Sequence, residues 1–501
     1  MKKTIIKITT FILLLCLSTL SFAEMSDTEI QTEMQKALTE IQNKRFRNAV
    51  GILNALIAKA PRFEKAKYLL GKCYALLYEY DNASRIFGII LSQTPEDPYA
   101  LMEAGSAALY MYQFERAKYY YTQLERLAPN SPYPVFGLIQ IALVQGKFVQ
   151  AKEYVDRLFE LRNSFANAPL IMAFYKVRLL MYQHLVTEAF DLLERLEGEI
   201  AQGKAAVLLE KSSILLDMSN LKLAETNALK AYNDGLQTGD AFSNLITIYI
   251  RLKKFEEARN FINGYKEKVG EDFRYYYFLG LLHIEENRIE QAVDFFLRSI
   301  ARNRYFVSSY LSLIDSYIKL GKHELSVQWS EQTTEIFGQV NGIKMTLAKA
   351  FYKAGQKSKS IDIVKKLVTE HNRDLTLLIN ASYFLWTEAR DYKLALKLMT
   401  DANGFYPDND RILNNLAYFY ATVEDPGLRN PGLALQYAEK VVKRSRRLSA
   451  VYLDTLAAAY FANGQKAIAI KTQQEVLEMN PADEAFVANL KKYSQNGAAA
   501  R

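Results

Sequence analysis

A chain of 501 residues exceeds what one hydrophobic core can organise, so it is either several domains or an array of repeats. Half of the residues are hydrophobic and 24% are charged, which excludes a disordered chain, and 11 prolines over this length favour helices. A net charge of +8 without an extended basic face leaves no reason to expect nucleic acid as a partner.

The chain begins with Lys2, Lys3 and Lys7, then the apolar run Phe11–Leu20, then Ser21, Phe22 and Ala23. This order predicts a signal peptide over residues 1–23, cleaved after Ala23, with residues 24–29 as a short linker. Cleavage removes three lysines and no acid, so +8 becomes +5. An uncleaved anchor is the alternative, although the run is short for a membrane span. A lipid anchor at Cys16 is another, with Leu15 large where a small residue is expected. After cleavage only Cys73 remains, which excludes an internal disulfide. That is compatible with an oxidising compartment such as a periplasm.

From residue 30 onward one residue class recurs in phase. Ala49, Ala83, Ala117 and Ala151 lie 34 residues apart. Ala189 and Ala224 follow, then Ala258, Ala292, Ser326 and Ser360 at the same spacing, then Ala395, Ala434 and Ala469. A proline lies twelve residues after the alanine at Pro61, Pro95, Pro129, Pro407 and Pro481. A small residue lies twelve before it at Ala37, Gly71, Gly105, Gly280, Ala348 and Ala457, and seventeen before it at Ala417, where the spacing is lengthened, often followed by an aromatic three residues on, as at Tyr74 and Tyr460. The pattern predicts two short helices per unit. Gly146, Gly321, Gly355 and Gly464 supply the left-handed residue between them, and the proline stops the second helix. One such pair cannot bury its apolar face alone, so neighbours must stack.

This signature resembles the tetratricopeptide repeat family. Gly71, Tyr74, Ala83, Phe87 and Pro95 carry it in one unit, and Leu456, Ala457, Tyr460, Gly464, Ala469 and Pro481 in another. The resemblance implies an all-α, right-handed superhelical solenoid with about thirteen tandem repeats over residues 30–481. Residues 482–501 are expected to form a capping helix and a frayed tail. Repeat spacing widens to 38 between Ala151 and Ala189 and to 39 between Ala395 and Ala434, where Glu424–Pro431 reads as a loop. These are read as changes of helix length or pitch rather than domain boundaries; binding loops are the alternative. Lys440, Lys443, Arg444, Arg446 and Arg447 cluster at a predicted helix end, where cations complement the helix dipole; a site for an acidic partner is the other reading.

No catalytic constellation is present. The four histidines, His184, His283, His323 and His371, lack metal-ligand spacing, and neither a His-Glu-x-x-His nor a phosphate-binding glycine loop occurs. Cys73, between Gly71 and Tyr74, reads as a small buried hydrophobe rather than a nucleophile. No enzyme activity, cofactor, metal or small-molecule substrate is expected.

In the resembled family the first helix of each unit lines a concave groove. Carried onto this chain, that implies partner-binding candidates on the first helices, within six residues of the small position: Tyr68 and Lys72, Tyr99 and Met102, Tyr133 and Phe136, Phe174 and Arg178, Arg274 and Tyr277, and Arg411, Asn414, Asn415 and Tyr418. Aromatics, Met and Arg suit interface cores, although apolar residues at helical spacing also serve as inter-repeat core. Asn244 and Asn415 occupy the place of the family's recurrent peptide-contacting asparagine, whereas Leu69, Gly137, Thr346 and Thr455 stand there elsewhere. A partner held at a few local patches is therefore expected rather than one read along the whole groove. The functional expectation is a non-catalytic protein-interaction scaffold of the bacterial cell envelope, in the periplasm or associated with the outer membrane and with an envelope membrane complex. An accessory subunit for polysaccharide or peptidoglycan export or processing is the alternative.

Overall fold

The computed structural model describes residues 25–407 and 409–495. The expected leader and the last six residues of the tail lie outside them. The described residues form 27 α-helices and two short 3-10 turns, and no strand occurs among them. The helices run as thirteen pairs, from Asp27–Gln42 with Phe46–Lys59 to Ala450–Ala462 with Lys466–Met479, and then one further helix, Glu484–Gln495. The first helix starts inside the expected linker, because Ser26 and Glu29 form a reciprocal capping box that satisfies its free amide donors.

The thirteen in-phase small residues, Ala49 through Ala469, are all completely buried. At the first-helix positions the reason for small size is measurable. A Cβ placed on Gly71 would come 2.7 Å from the Phe87 ring, and one on Gly280 would come 2.4 Å from Phe296. Second helices ending at Lys59, Gln93, Leu127, Phe405 and Met479 each stop two residues before a proline, as the missing N–H and the restriction on the preceding residue require.

The turn inside a pair uses a left-handed residue in twelve of the thirteen units. Four are the expected glycines, with φ from +68° to +81°. The other eight are Lys44, Tyr78, Tyr112, His184, Ser219, Lys253, Asn287 and Arg390, with φ from +56° to +62°. The twelfth pair differs because Glu424–Asn430 loops out, with a 3-10 turn at Pro426–Leu428 and Asn430 capping the helix that Pro431 begins.

The chain divides into two compact units, residues 1–137 and 138–501. The division falls within helix Tyr133–Val144 and not at either lengthened spacing. In the second unit, first helices of neighbouring pairs pack on each other from Lys204–Asp217 onward, whereas second helices of neighbouring pairs make no comparable contact. Elements that crowd lie on the inside of a bend, so the first helices form the inner face of this unit.

The second unit also closes on itself. The Ala450 N–H donates to the Met218 carbonyl at 3.0 Å, and Asn220 Nδ2 donates to the Leu448 carbonyl at 3.0 Å. Asn409 Nδ2 donates to the Gln183 carbonyl at 2.8 Å, and Lys253 Nζ lies 2.6 Å from Glu484. In pair numbers, five meets twelve, six meets thirteen, and seven meets the final helix: the offset is seven pairs each time. Seven pairs therefore complete one superhelical turn of this unit, and the turn edges of pairs five to seven seat against the helix starts of the next turn. Where Met218 meets Ala450, a helix C-terminus faces a helix N-terminus, so orphan carbonyl and orphan amide satisfy each other and the dipoles align head to tail.

Candidate partner-binding faces and the superhelical seam

In the first unit the candidates fall on the first helices of pairs two to four. Glu64–Leu76 carries Tyr68 and Lys72, Pro98–Tyr110 carries Tyr99 and Met102, and Tyr133–Val144 carries Tyr133 and Phe136. Their geometry is partly pinned. The rings of Tyr68 and Tyr99 meet edge-on at 5.4 Å, the Tyr68 hydroxyl donates to Asp97, and Lys72 Nζ lies 2.5 Å from Glu103. Burial and the Glu103 carboxylate push the Tyr99 hydroxyl up to about 12, so it stays protonated and able to donate. Tyr99 remains 40% exposed and Tyr133 58%, with the Tyr133 ring edge-on to Phe136 at 6.1 Å. Met102 and Phe136 are half-buried. The result is an aromatic face held in fixed orientation by ion pairs and ring contacts, with little side-chain entropy left to lose on binding.

In the second unit the candidates separate into three groups. Phe174 is half-buried and Arg178 exposed, its guanidinium stacked over Tyr175 at 5.6 Å. Arg274 is tied by Asp240 at 3.1 Å and Asp272 at 3.6 Å, and Tyr277 packs among Phe278, Phe296 and Phe306, so this pair serves mainly to join repeats. In Asp410–Thr422, Arg411 is exposed, Asn415 and Tyr418 are half-buried, and Asn414 is only 5% exposed. Asn414 thus leaves the partner-facing set: its side chain is buried between helices. Asn244 is likewise buried and hydrogen-bonded to Ser212 and Ser213.

Two inner-face features extend beyond the sequence candidates, of which only Tyr418 takes part. Tyr383, Trp386 and Tyr418 form an aromatic cluster, with centroids 6.2 Å and 5.7 Å apart around Trp386 and with Tyr383 exposed. Beside it, a hollow of about 400 Å³ is lined by Leu281, Ile284, Phe384, Asp315, Lys319, Lys349 and Lys353. Burial holds the Asp315 carboxyl above its usual range although Lys349 and Lys319 pull it down. The small-residue step fails in the ninth and eleventh pairs, where Ile314 and Tyr383 stand twelve residues before Ser326 and Ala395, although it reaches Lys349 beside Ala348. A search for exposed aromatics on predicted first helices would have found Tyr383 and Trp386.

The basic cluster does meet acidic groups, but they belong to the chain itself. Arg444 lies 2.9 Å from Glu188 and 3.1 Å from Asp410, Arg446 lies 2.7 Å from Asp191 and 2.8 Å from Glu194, and Arg447 pairs with Glu475. Dipole complementation applies only to Lys443 and Arg444, in the last turn of Pro431–Arg444; Arg446 and Arg447 lie beyond it with positive φ.

The seam contains two displaced titrations. Burial, aided by Arg411, holds the half-buried His184 imidazole down to about 4, while burial lifts Asp410 to about 6 against the pull of Arg444. Their signs oppose. As pH falls from 6.5 toward 4, the unfolded chain takes up a proton that folded His184 refuses, which lowers stability. As pH falls from about 6 toward 3.8, folded Asp410 takes up a proton before the unfolded chain does, which raises it. Each effect is about 1–2 kcal/mol at pH 5. The wild-type urea midpoint is therefore expected to change little between pH 7 and 5, to rise on acidification in His184→Gln, and to fall in Asp410→Asn. Both tryptophans, Trp329 and Trp386, lie in the second unit, so their fluorescence reads its unfolding. Two variants with the same pH slope would contradict this assignment.

Cys73 is buried, and burial lifts its thiol to about 11, so it is packed as a protonated hydrophobe. Among the described residues no group of three or more His, Cys, Asp or Glu side chains is placed to hold a metal ion, and no helix is long and apolar enough to cross a membrane.

Paired helices in phase, buried small residues and neighbour-to-neighbour stacking define a helical-repeat solenoid. The tetratricopeptide repeat profile matches residues 273–305, the eighth pair, and the same helix-pair geometry recurs in the pairs on either side. The described residues thus form a solenoid of many helix pairs, one of which matches the tetratricopeptide repeat. Among solved structures it is similar to a chain of the APC/C hetero-tetramer Cut9-Hcn1, at 13% identity over 94% of this chain and 99% of that one with a TM-score of 0.37. It is also similar to yeast Tom70, at 14% identity over 93% and 95% with a TM-score of 0.41. No curated protein matches the sequence.

Proposed function

We propose that the protein is a non-catalytic protein-interaction scaffold of the bacterial cell envelope, exported by residues 1–23, which holds a peptide or protein partner at local patches on its first helices. The observation that carries this reading is the pre-set aromatic face of the first unit. Tyr99 and Tyr133 offer large, exposed, oriented rings, with Met102 and Phe136 beside them, and such anchors supply most of the energy of protein interfaces. The Tyr383–Trp386–Tyr418 cluster offers a second patch of the same chemistry. A signal-peptide-like start and a chain without catalytic motifs support export and a scaffolding role.

The test is a pull-down from envelope extract with the full mature chain, followed by mass spectrometry and by binding measurements on the recovered partner. Tyr99→Ala with Tyr133→Ala is expected to weaken that binding at least tenfold, since truncating one anchor costs about 1–2 kcal/mol or more. The expected outcome is specific protein recovery from the periplasmic or outer-membrane fraction. Retention of glycan with no protein would favour the polysaccharide or peptidoglycan role, and recovery only from cytoplasmic fractions would overturn the envelope assignment.

A further inference from the structure

Seating one superhelical turn against the next leaves a cleft of about 340 Å³ between them, and its lining differs from the rest of the inner face. From the earlier turn come His184, Asp217 and Arg251; from the later turn come Arg411, Ser449 and Tyr452. Arg251 is fixed, with Nη1 donating to the Leu216 carbonyl at 2.8 Å and Nη2 to Ser219 Oγ at 2.9 Å. Arg411 is exposed and makes no ion pair among the described residues. We propose that this cleft is a carboxylate-binding site in which Arg411 and Arg251 take the carboxylate from opposite sides of the seam and so fasten one turn to the next.

The charge balance sets the class. Asp217 faces both guanidinium groups, Asp483 acts on Arg251 from outside the lining, and His184 is neutral; Arg411 is the one charge there with no paired acid among the described residues, and a single guanidinium suits a monoanion better than a phosphate dianion. Planar guanidinium groups match the geometry of a carboxylate. Met181, Val186, Leu216, Met218 and Val451 supply an apolar wall for a short alkyl or side-chain stem. Burial holds the Asp217 carboxyl above its ordinary range, which lessens its competition for the two arginines. Because the site is complete only when the turns are in contact, a ligand bound there stabilises the closed seam. The aromatic faces proposed above rest on other residues; Arg411, a groove candidate in the sequence, is assigned here to the seam.

The test uses the full mature chain, with unfolding followed by tryptophan fluorescence at constant ionic strength. Hexanoate, acetate, phosphate and chloride are compared, along with a tripeptide bearing a free or an amidated C-terminus. Hexanoate is expected to raise the unfolding midpoint saturably, beyond acetate and well beyond phosphate or chloride. Arg411→Gln is expected to weaken that apparent affinity about tenfold or more, Arg411→Lys less, and Asp217→Asn to tighten it. Because Arg411 is exposed, the glutamine variant retains the ligand-free midpoint to within a few degrees. Stabilisation by hexanoate identifies a free small carboxylate as the ligand; stabilisation only by the tripeptide with a free terminus identifies a chain end. Equal shifts with hexanoate and chloride, a phosphate shift larger than either carboxylate, or an undiminished shift in Arg411→Gln would overturn the proposal.

Discussion

Arg444→Met is expected to destabilise the second unit by about 1.5–2 kcal/mol at pH 7, more than Arg446→Ala, although both arginines pair with acids across the same seam. The difference lies in the partner. Asp410 is completely buried, while Asp191 and Glu194 have side chains 45% and 40% exposed. Removing one member of a buried pair strands the other, at about 3–5 kcal/mol. Protonation limits the loss here: with Asp410 titrating at about 6, taking up a proton at pH 7 costs only about 1.4 kcal/mol, to which the partly exposed Glu188 pair adds a few tenths. Exposed pairs are worth about 0.2–1 kcal/mol and are screened by salt. The Arg444–Asp410 contact is also imperfect: at 3.1 Å the atoms are close, yet Asp410 Oδ1 has no aligned hydrogen bond. An oblique contact offsets only part of the cost of burying the carboxylate, in keeping with its rise to about 6. Two consequences follow. Asp410→Asn should recover most of the loss in the double variant at pH 7, and acidification to pH 5 should shrink the Arg444→Met deficit by more than half, because Asp410 is then neutral. Urea midpoints from tryptophan fluorescence supply the measurement. Equal costs for Arg444→Met and Arg446→Ala, or no recovery in the double variant, would rule out the stranded carboxylate.

The sequence and the structure agree most closely where structure is decided by near neighbours. Ala49 through Ala469 are legible because each sits where two helices of adjoining pairs approach, a relation fixed within one 34-residue repeat. The turn glycines are legible for the same reason, since left-handed backbone favours glycine. Tyr78, Tyr112, His184 and Lys253 occupy that backbone region equally well, and nothing in their side-chain chemistry signals it. In pairs five to seven the non-glycine residues have a use: His184 reaches Thr376 at 3.4 Å, Ser219 accepts from Arg251, and Lys253 pairs with Glu484. A backbone cost of about 1 kcal/mol at each is offset by contacts that glycine could not make.

The seam itself was not legible. It depends on a small rotation per repeat summed over seven pairs, so Arg444 finds Glu188 at a separation of 256 residues. The basic cluster was visible in the sequence, but its counter-charges were not, and a solvated helix end looks the same as a docking strip until the pitch is known. The groove candidates divided on a related point. Position relative to the small residue places a side chain on the first helix, but whether it faces a partner or the next repeat depends on its neighbours. Tyr99 and Arg274 occupy corresponding places, before Ala117 and Ala292, yet one is an exposed ring and the other is tied by Asp240 and Asp272.

Gly280→Leu is expected to be severely damaging within its repeat, with a loss at or above the upper end of the 1–3 kcal/mol typical of overpacking. Gly280 lies in the middle of Phe273–Glu285, where glycine itself costs about 0.5–1 kcal/mol relative to alanine. The position is glycine because the Phe296 ring is already there, 2.4 Å from where a Cβ would stand. Phe296 cannot yield easily. It is completely buried and enclosed by Tyr277, Ala292, Leu313 and Tyr317, so displacing it propagates into the neighbouring pair. Gly51, in Phe46–Lys59, makes the contrast: a Cβ there meets nothing within 4 Å. Gly51→Ala should therefore stabilise its helix by about 0.5–1 kcal/mol through the same backbone term, without a packing penalty. Because a repeat array opens locally as well as globally, hydrogen exchange is the appropriate measurement. Peptides spanning residues 273–302 should exchange at least a hundredfold faster in Gly280→Leu, with a smaller change in the adjoining pairs, whereas peptides spanning 46–59 should slow by severalfold in Gly51→Ala. Unchanged protection over 273–302 would mean that Phe296 has somewhere else to go, and the interlock between first and second helices would then not be what limits residue size at this position.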